Sequence, residues 1–169
     1  MRIAFRASQI GLGAAAALMA SATLSPAGAG SAPTTLGVSM AITAGCTVTS
    51  SPVAFGSTSV LSSALTASGS LTVTCTNTTT YTVALGPGSG SGASVTNRLM
   101  TGSGSATVSY ALYRDSGYTQ NWGQTAGTDT GSGTGSGSTQ TLMVYAKVAS
   151  QTSPAPDSYA DTVSVTVSF

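Results

Sequence analysis

Short segments with strictly alternating apolar and polar residues recur along this chain, separated by glycine, serine and proline. Examples are "LTVTC" at 71–75, "YTVAL" at 81–85 and "VSYALY" at 108–113. Such alternation places the apolar side chains on one face of a β-strand. After the first 29 residues no segment has a sustained helical period, so the sequence predicts an all-β protein. Seven or so strands with frequent turn signals favour a β-sandwich.

The first 29 residues have the pattern of an export signal. Two arginines form a positively charged start, residues 10–22 are apolar and rich in alanine, and 27–29 form a small-residue cleavage site. The apolar run is too short and too rich in alanine and glycine for a transmembrane helix. We expect cleavage after Ala29, with Ala22 as the second choice, and export of a soluble mature chain through the inner membrane.

Charge and composition argue against several functions. Without the signal, three basic side chains stand against four aspartates, for a net charge of −1. A chain so close to neutral has no electrostatic attraction for nucleic acid or anionic membranes. Histidine and glutamate are absent, which leaves few groups for general acid–base catalysis. We therefore expect neither an enzyme nor a cofactor.

The aspartates are interpreted as turn residues. Asp157 and Asp161 are four residues apart, and we expect both to be solvated. Asp115 follows Arg114, and the two could form an exposed ion pair of little energetic value. The preferred interpretation is a turn in which the Asp115 carboxylate satisfies backbone amides.

The two cysteines, Cys46 and Cys75, both lie in the exported part. An even number of cysteines in an oxidising compartment predicts one disulfide. Closing a loop of about 30 residues would stabilise the fold by roughly 3–4 kcal/mol. A metal site is the competing interpretation, but the chain has too few ligands for one.

The stretch "TTLGVSMAIT" at 34–43 alternates with particular regularity. The residues that share its apolar face are Leu36, Val38, Met40 and Ile42. The pattern predicts a strand, yet no hairpin turn connects it to the segment that follows. It could fold back as the first strand of its own domain, or it could pair with another chain, as an unprotected strand edge invites.

The segment 157–169 is a second amphipathic strand, at the other end of the chain. Tyr159, Val163, Val165, Val167 and Phe169 share one face, which only Asp161 interrupts. Between these two ends, the tract 127–139 is rich in glycine and serine and is expected to be a flexible surface loop.

Four pieces of this sequence together resemble the spore coat U domain family, which contains the subunits of archaic chaperone–usher pili. They are "AGCTV" at the end of the alternating leader, "LTVTC", "YALYRD" and the terminal "YADTVSVTVSF". The resemblance extends from about residue 34 to the end of the chain. Regions 86–107 and 116–139 are less similar to the family.

The resemblance implies an incomplete immunoglobulin-like sandwich at 45–169 that lacks its last strand, preceded by a donor-strand extension at 30–44. A periplasmic chaperone would lend the missing strand, and at the outer-membrane usher the extension of the next subunit would replace it. Leu36, Val38, Met40 and Ile42 would then fill a neighbour's core. The C-terminal strand with Val163, Val165, Val167 and Phe169 would border the open groove.

The implied function is that of a structural subunit in a head-to-tail filament of identical copies on the cell surface, serving adhesion and biofilm formation. One domain behind an extension implies a polymerising subunit, whereas a tip adhesin, a possible partner, would carry a second, receptor-binding domain. The alternative is a secreted adhesin or carbohydrate-binding coat protein that does not polymerise. Trp122 and Tyr118 would then contact the ligand by stacking on a sugar. The simpler interpretation of Trp122 is that it anchors its loop against the sandwich.

Overall fold

The computed structural model describes residues 28–169, so the predicted export signal lies outside the described residues except for its last two positions. The chain divides into two units, Met1–Ser39 and Met40–Phe169. In the first unit, the described residues 28–39 form neither helix nor strand. Within the described range, no helix has the length and hydropathy that crossing a bilayer requires.

The second unit is built from β-strands, which confirms the predicted all-β class. Its strands are β1 Cys46–Ser51, β2 Leu65–Cys75, β3 Thr80–Leu85, β4 Arg98–Thr101, β5 Thr107–Tyr113, β6 Gly131–Thr134, β7 Thr139–Val148 and β8 Val165–Ser168. Each strand pairs antiparallel with its neighbours.

The strands form two sheets. One has five strands in the order β1-β2-β7-β5-β4, and the other has three in the order β6-β3-β8. The longest pairing joins β2 to β7, from Leu65 opposite Val148 to Thr74 opposite Thr139. The C-terminal strand β8 is therefore an edge strand, paired with β3 from Leu85 opposite Val165 to Thr82 opposite Ser168.

The core consists of the apolar positions that the alternation predicts. Each of the strands β2, β3, β5 and β7 contributes three buried side chains: Leu71, Val73 and Cys75; Tyr81, Val83 and Leu85; Val108, Tyr110 and Leu112; and Val144, Ala146 and Val148. Polar residues between them lie on the outer faces, so the strand period alone decides which side chains meet between the sheets.

Cys46 and Cys75 form the predicted disulfide. The two residues lie directly opposite each other in the pairing of β1 with β2. The bond therefore fastens the first strand of the domain to its neighbour at the point where the N-terminal segment ends. Next to it, the amide of Thr76 donates to the Gly45 carbonyl at 2.9 Å.

The prediction of a flexible loop at 127–139 is wrong for its central part, where β6 pairs with β3. Its glycines are close to bulky neighbours. A Cβ on Gly131 would lie 2.9 Å from Cζ2 of Trp122, and one on Gly133 would lie 2.5 Å from the hydroxyl oxygen of Tyr81. Glycine at every second position therefore gives this edge strand room to pack over two aromatic rings.

Candidate functional site

An open groove of about 1130 Å³ runs along the second unit. Its floor consists of core side chains from both sheets, namely Leu71, Leu85, Val108, Tyr110, Leu112, Val144 and Val148. One wall is the segment that follows β1, and the other is the segment that leads into β8. A groove with this apolar floor suits an apolar ligand rather than a polar substrate.

The first wall is residues 52–64, which form no strand. Val53 and Phe55 are half-buried against the core, and Leu61 is buried. A Cβ on Gly69 of β2 would lie 2.8 Å from Cγ2 of Val53, so this glycine allows the wall to pack closely on the sheet. The two walls are joined at Leu61, whose backbone amide donates to Ser153 Oγ at 2.8 Å. Its carbonyl accepts from the backbone amide of Gln151, just before the second wall, at 2.9 Å.

The second wall is residues 153–165, and two aspartates fasten it to the body. Asp157 Oδ2 accepts hydrogen bonds from the amide and the hydroxyl of Ser103, at 2.6 and 2.7 Å. Asp161 Oδ1 accepts from the amide and hydroxyl of Ser89, at 2.7 and 2.8 Å, and its Oδ2 accepts from the Tyr110 hydroxyl at 2.7 Å. The prediction that both aspartates are solvated turn residues holds for the exposure of Asp157, whereas Asp161 is partly buried. It missed that both carboxylates connect distant parts of the chain.

These contacts favour the ionised carboxylates. Burial acts to raise the pKa of Asp161, but the hydrogen bonds it accepts outweigh burial and hold the pKa below its ordinary value. The hydroxyl of Ser103 is the main cause of a lowered pKa at Asp157. Burial, reinforced by the bond to Asp161, raises the pKa of the Tyr110 phenol. Tyr110 therefore stays a protonated donor across the physiological range.

Strand β8 presents an open edge to the groove. It pairs with β3 on one side, and no described residue pairs with its other side. Val163 and Val165 line the groove, and Val167 packs against the core. Phe169 follows the strand and is 61% exposed. Of the four residues predicted at the groove edge, the structure thus places the first two in the groove itself.

The apolar face of the N-terminal segment is exposed to solvent. Leu36 and Val38 are each 88% exposed, Met40 is 83% exposed and Ile42 is 76% exposed. Residues 28–45 belong to no strand, so the strand predicted at 34–43 does not form in the single chain described here. A strand needs a neighbour for its backbone hydrogen bonds, and alternation by itself does not supply one.

Trp122 is a core residue, so the alternative in which it contacts a ligand is wrong for this side chain. The side chain is 1% exposed, and its indole N–H donates to the Val83 carbonyl at 2.8 Å. With no free face the ring cannot stack on a sugar, and it instead anchors its loop against β3, as the simpler interpretation has it. Tyr118 differs from Trp122 in burial, because its side chain is only half-buried and lies at the protein surface.

The turn after β5 follows the preferred interpretation. The Asp115 carboxylate accepts hydrogen bonds from the amide of Gln120 at 2.7 Å and from the hydroxyl of Thr119 at 2.8 Å. Arg114 bonds instead to the carbonyls of Thr130 and Thr128.

Sequence reasoning did not find Arg98, which is fully buried. Its guanidinium donates to four carbonyls, those of Gly86, Val95, Leu85 and Trp122, at 2.7–3.1 Å. Burial lowers the pKa of Arg98 below its ordinary value. The Arg98 side chain joins β4 to the end of β3 next to the groove floor. The only sequence signal for this role is a lone charge at the start of a short apolar strand.

A family model decides the classification: the model of the spore coat protein U domain matches residues 32–166. The chain belongs to the spore coat protein U domain family. The match spans both the exposed N-terminal segment and the groove-bearing sandwich. It confirms the resemblance seen in the sequence. No match was found among curated proteins.

The fold of this spore coat protein U domain is also found in solved structures. One similar chain comes from the complex described as the CsuC–CsuE chaperone–tip adhesion subunit pre-assembly complex of the archaic chaperone-usher Csu pili of Acinetobacter baumannii. The TM-score is 0.56 at 22% sequence identity, and the match covers 76% of this chain. The match covers 40% of the Csu chain's length, and the likeness establishes the shared fold.

Proposed function

We propose that this protein is a subunit of a chaperone–usher pilus, and that residues 34–43 of one copy close the groove of the next. One observation carries the proposal. The same chain holds an apolar groove beside an open strand edge and an exposed segment whose apolar residues recur at strand spacing. An open strand edge and an exposed apolar segment are each unfavourable in water. The two surfaces are complementary, because the segment could pair with the edge and place its apolar side chains in the groove.

The expected energetics support a durable link. Burial of four large apolar side chains, at about 1.5–3 kcal/mol each, would contribute on the order of 6–12 kcal/mol before the cost of ordering the segment. Hydrogen bonds along the edge of β8 would add about 1 kcal/mol each. Because the segment and the groove are different surfaces, the contact repeats head to tail and generates an open fibre.

The partners follow from the same groove. Before assembly the open edge of β8 beside the groove lacks a partner, and a periplasmic chaperone that lends a strand would pair with it. The family membership and the fold shared with a chain of a chaperone–subunit complex support this role. The pattern of residues 1–29 fits export to the periplasm, from which an outer-membrane usher would pass the subunits to the cell surface. Adhesion and biofilm formation are the roles we propose for the assembled fibre.

The test is a pair of double variants in the N-terminal segment. Val38→Asp with Met40→Asp places two charges on the apolar face, where burial in a neighbour's groove would be strongly unfavourable. We expect this variant to be exported and to accumulate bound to the chaperone, with no fibres on the cell surface by electron microscopy.

The matched control carries Ser39→Asp with Ala41→Asp, the same charge change on the opposite face of the same segment. We expect it to assemble fibres, because this face would point away from the groove. Long fibres from the first variant would refute the donor role. Loss of fibres from both variants would show that the charge of the segment, and not its apolar face, controls assembly.

A further inference from the structure

Three tyrosines and a lysine form a cluster on the outer face of the five-stranded sheet. Tyr113 of β5 and Tyr145 of β7 lie directly opposite each other, and the Tyr118 ring meets both edge to face, with centroids 5.7 and 6.5 Å away. The ammonium of Lys147 lies 5.5 Å from the Tyr118 ring centroid. We call these four residues the tyrosine cluster. The side chains that alternate with them, such as Leu112 and Ala146, point into the core.

The position of Tyr118 is held by its loop. Its φ is +56°, a left-handed conformation that is rare for a bulky side chain. The Asp115 carboxylate fixes the turn by accepting hydrogen bonds from Thr119 and Gln120, the two residues that follow. Such strain persists where the surroundings over-determine it, and it is concentrated at binding sites.

The hydroxyls of the cluster differ from those of the other tyrosines. Tyr81, Tyr110 and Tyr159 each donate a hydrogen bond, to Gln140, Asp161 and the Ala155 carbonyl respectively. In the described part of the chain, the hydroxyls of the three cluster tyrosines make no hydrogen bond to the protein, and the Lys147 ammonium contacts the Tyr118 ring but forms no ion pair. One small surface thus brings together four groups able to donate to a ligand.

A hollow of about 220 Å³ adjoins the cluster. Tyr113 and Lys147 line it together with Thr96, Asn97 and Ser109. It is smaller than the roughly 300–1,000 Å³ of sites for drug-sized ligands, and its size suits a single ring. Hydroxyl, amide and ammonium groups on its walls suit a ligand with several oxygen atoms.

The charge of the surface selects among such ligands. Residues 28–169 contain three cationic side chains, and two of them are engaged by the protein itself: Arg98 is buried and Arg114 donates to backbone carbonyls. Lys147 is the third. It lines the hollow, and its ammonium lies over the Tyr118 ring. A carboxylate on the ligand would find its counter-charge there.

We propose that the tyrosine cluster and the adjoining hollow bind an acidic sugar, a uronic acid unit of a polysaccharide. The apolar C–H face of the sugar ring lies against the tyrosine rings, its hydroxyls accept from the phenols and from Asn97, and its carboxylate pairs with Lys147. The cluster consists of outward-facing side chains, whereas the groove is built from inward-facing ones. The sugar site therefore does not rest on the proposed assembly.

The test is calorimetric titration of the purified mature protein with oligogalacturonate, with a neutral galactose oligomer of equal length as the comparison. We expect binding of the acidic oligomer that weakens with salt, and at least tenfold weaker binding of the neutral one. Lys147→Gln should remove that preference. Tyr118→Gly should weaken binding at least tenfold. Because glycine readily adopts a positive φ, this substitution preserves the turn.

Met143→Ala is the matched control, because Met143 is an exposed residue on the same face of β7, two positions before Tyr145. It should bind as the unchanged protein does, and circular dichroism should show all variants folded. Absence of oligogalacturonate binding would overturn the proposal, as would binding that neither Tyr118→Gly nor Lys147→Gln alters. Equal affinity for both oligomers would overturn the assignment of an acidic ligand. A fibre that assembles normally but binds no sugar would refute this site and leave the proposed function intact.

Discussion

The two ends of this chain have the same sequence pattern and different structures. Residues 34–43 and 157–169 both alternate apolar with polar side chains over about ten positions. At the C-terminal end, Val165–Ser168 is a strand paired with β3, and Asp157 and Asp161 fasten the residues before it. At the N-terminal end no strand forms, and all four apolar side chains are at least 76% exposed.

The difference lies in what each end can pair with. The C-terminal segment finds β3 within its own domain, and two carboxylates accept hydrogen bonds from serines of other loops. Residues 34–43 contain no charged side chain that could fasten them in this way. Alternation therefore specifies which face of a segment is apolar, while the availability of a partner strand decides whether the segment is ordered as a strand.

The largest expected effect concerns the boundary between the N-terminal segment and the domain. Replacing both Cys46 and Cys75 with alanine removes the bond that fastens β1, and we expect a loss of roughly 3–4 kcal/mol in the free energy of unfolding. Urea unfolding under non-reducing conditions measures it, with the fluorescence of the buried Trp122 as the signal. The periplasmic yield should fall as well. An unchanged unfolding midpoint would show that the bond does not stabilise the domain.

A smaller effect directly contrasts the two ends. Val165→Asp places an unpaired charge between β8 and the core, and we expect a loss of about 2–3 kcal/mol in the free energy of unfolding. Val38→Asp, the same substitution at the exposed end, should change it by less than about 0.5 kcal/mol. The same urea titration compares them. Equal destabilisation by both variants would break the comparison, because it would mean that the N-terminal segment is part of the folded domain.

The smallest effect comes from the aspartates at the C-terminal end. Their folded-state pKa values lie below the ordinary value of about 3.9, so their stabilisation is complete above that pH and is lost as the pH falls through the folded-state values. Asp161→Ala should remove on the order of 1–2 kcal/mol at neutral pH, since it leaves the Tyr110 hydroxyl without its acceptor.

The measurement is the urea midpoint as a function of pH from 3 to 7. The unchanged protein should lose stability below about pH 4, and Asp161→Ala should lose less over the same range because one of the titrating groups is gone. Tyr110→Phe serves as the control, because it removes the hydroxyl but keeps the carboxylate and its bonds to Ser89. An acid response identical in all three proteins would show that Asp161 does not contribute to it.

Much of the fold was predictable because it depends on local pattern. The inward faces of β2, β3, β5 and β7 follow from alternation, and the disulfide follows from two cysteines in an exported chain. Strand β6 was not predictable, since its glycines carry no apolar side chains that would show alternation. Glycine is needed there because the rings of Trp122 and Tyr81 leave no room for a Cβ. For the candidate site, alternation predicted the apolar faces of residues 34–43 and 157–169 but not the groove between the two walls.

By itself the sequence determined the class of fold, the two faces of each strand and the cysteine pair, because these depend on residues near one another in the chain or on a count. Tertiary structure alone decided the roles of Arg98, Asp157 and Asp161, and the hydrogen-bond partner of Trp122. Each of these side chains forms its hydrogen bonds with groups on a different loop or strand, mostly backbone carbonyls, amides and serine hydroxyls. Backbone carbonyls and amides occur at nearly every position of a chain, and serines at many positions of this one, so only folding determines which of them a given side chain meets.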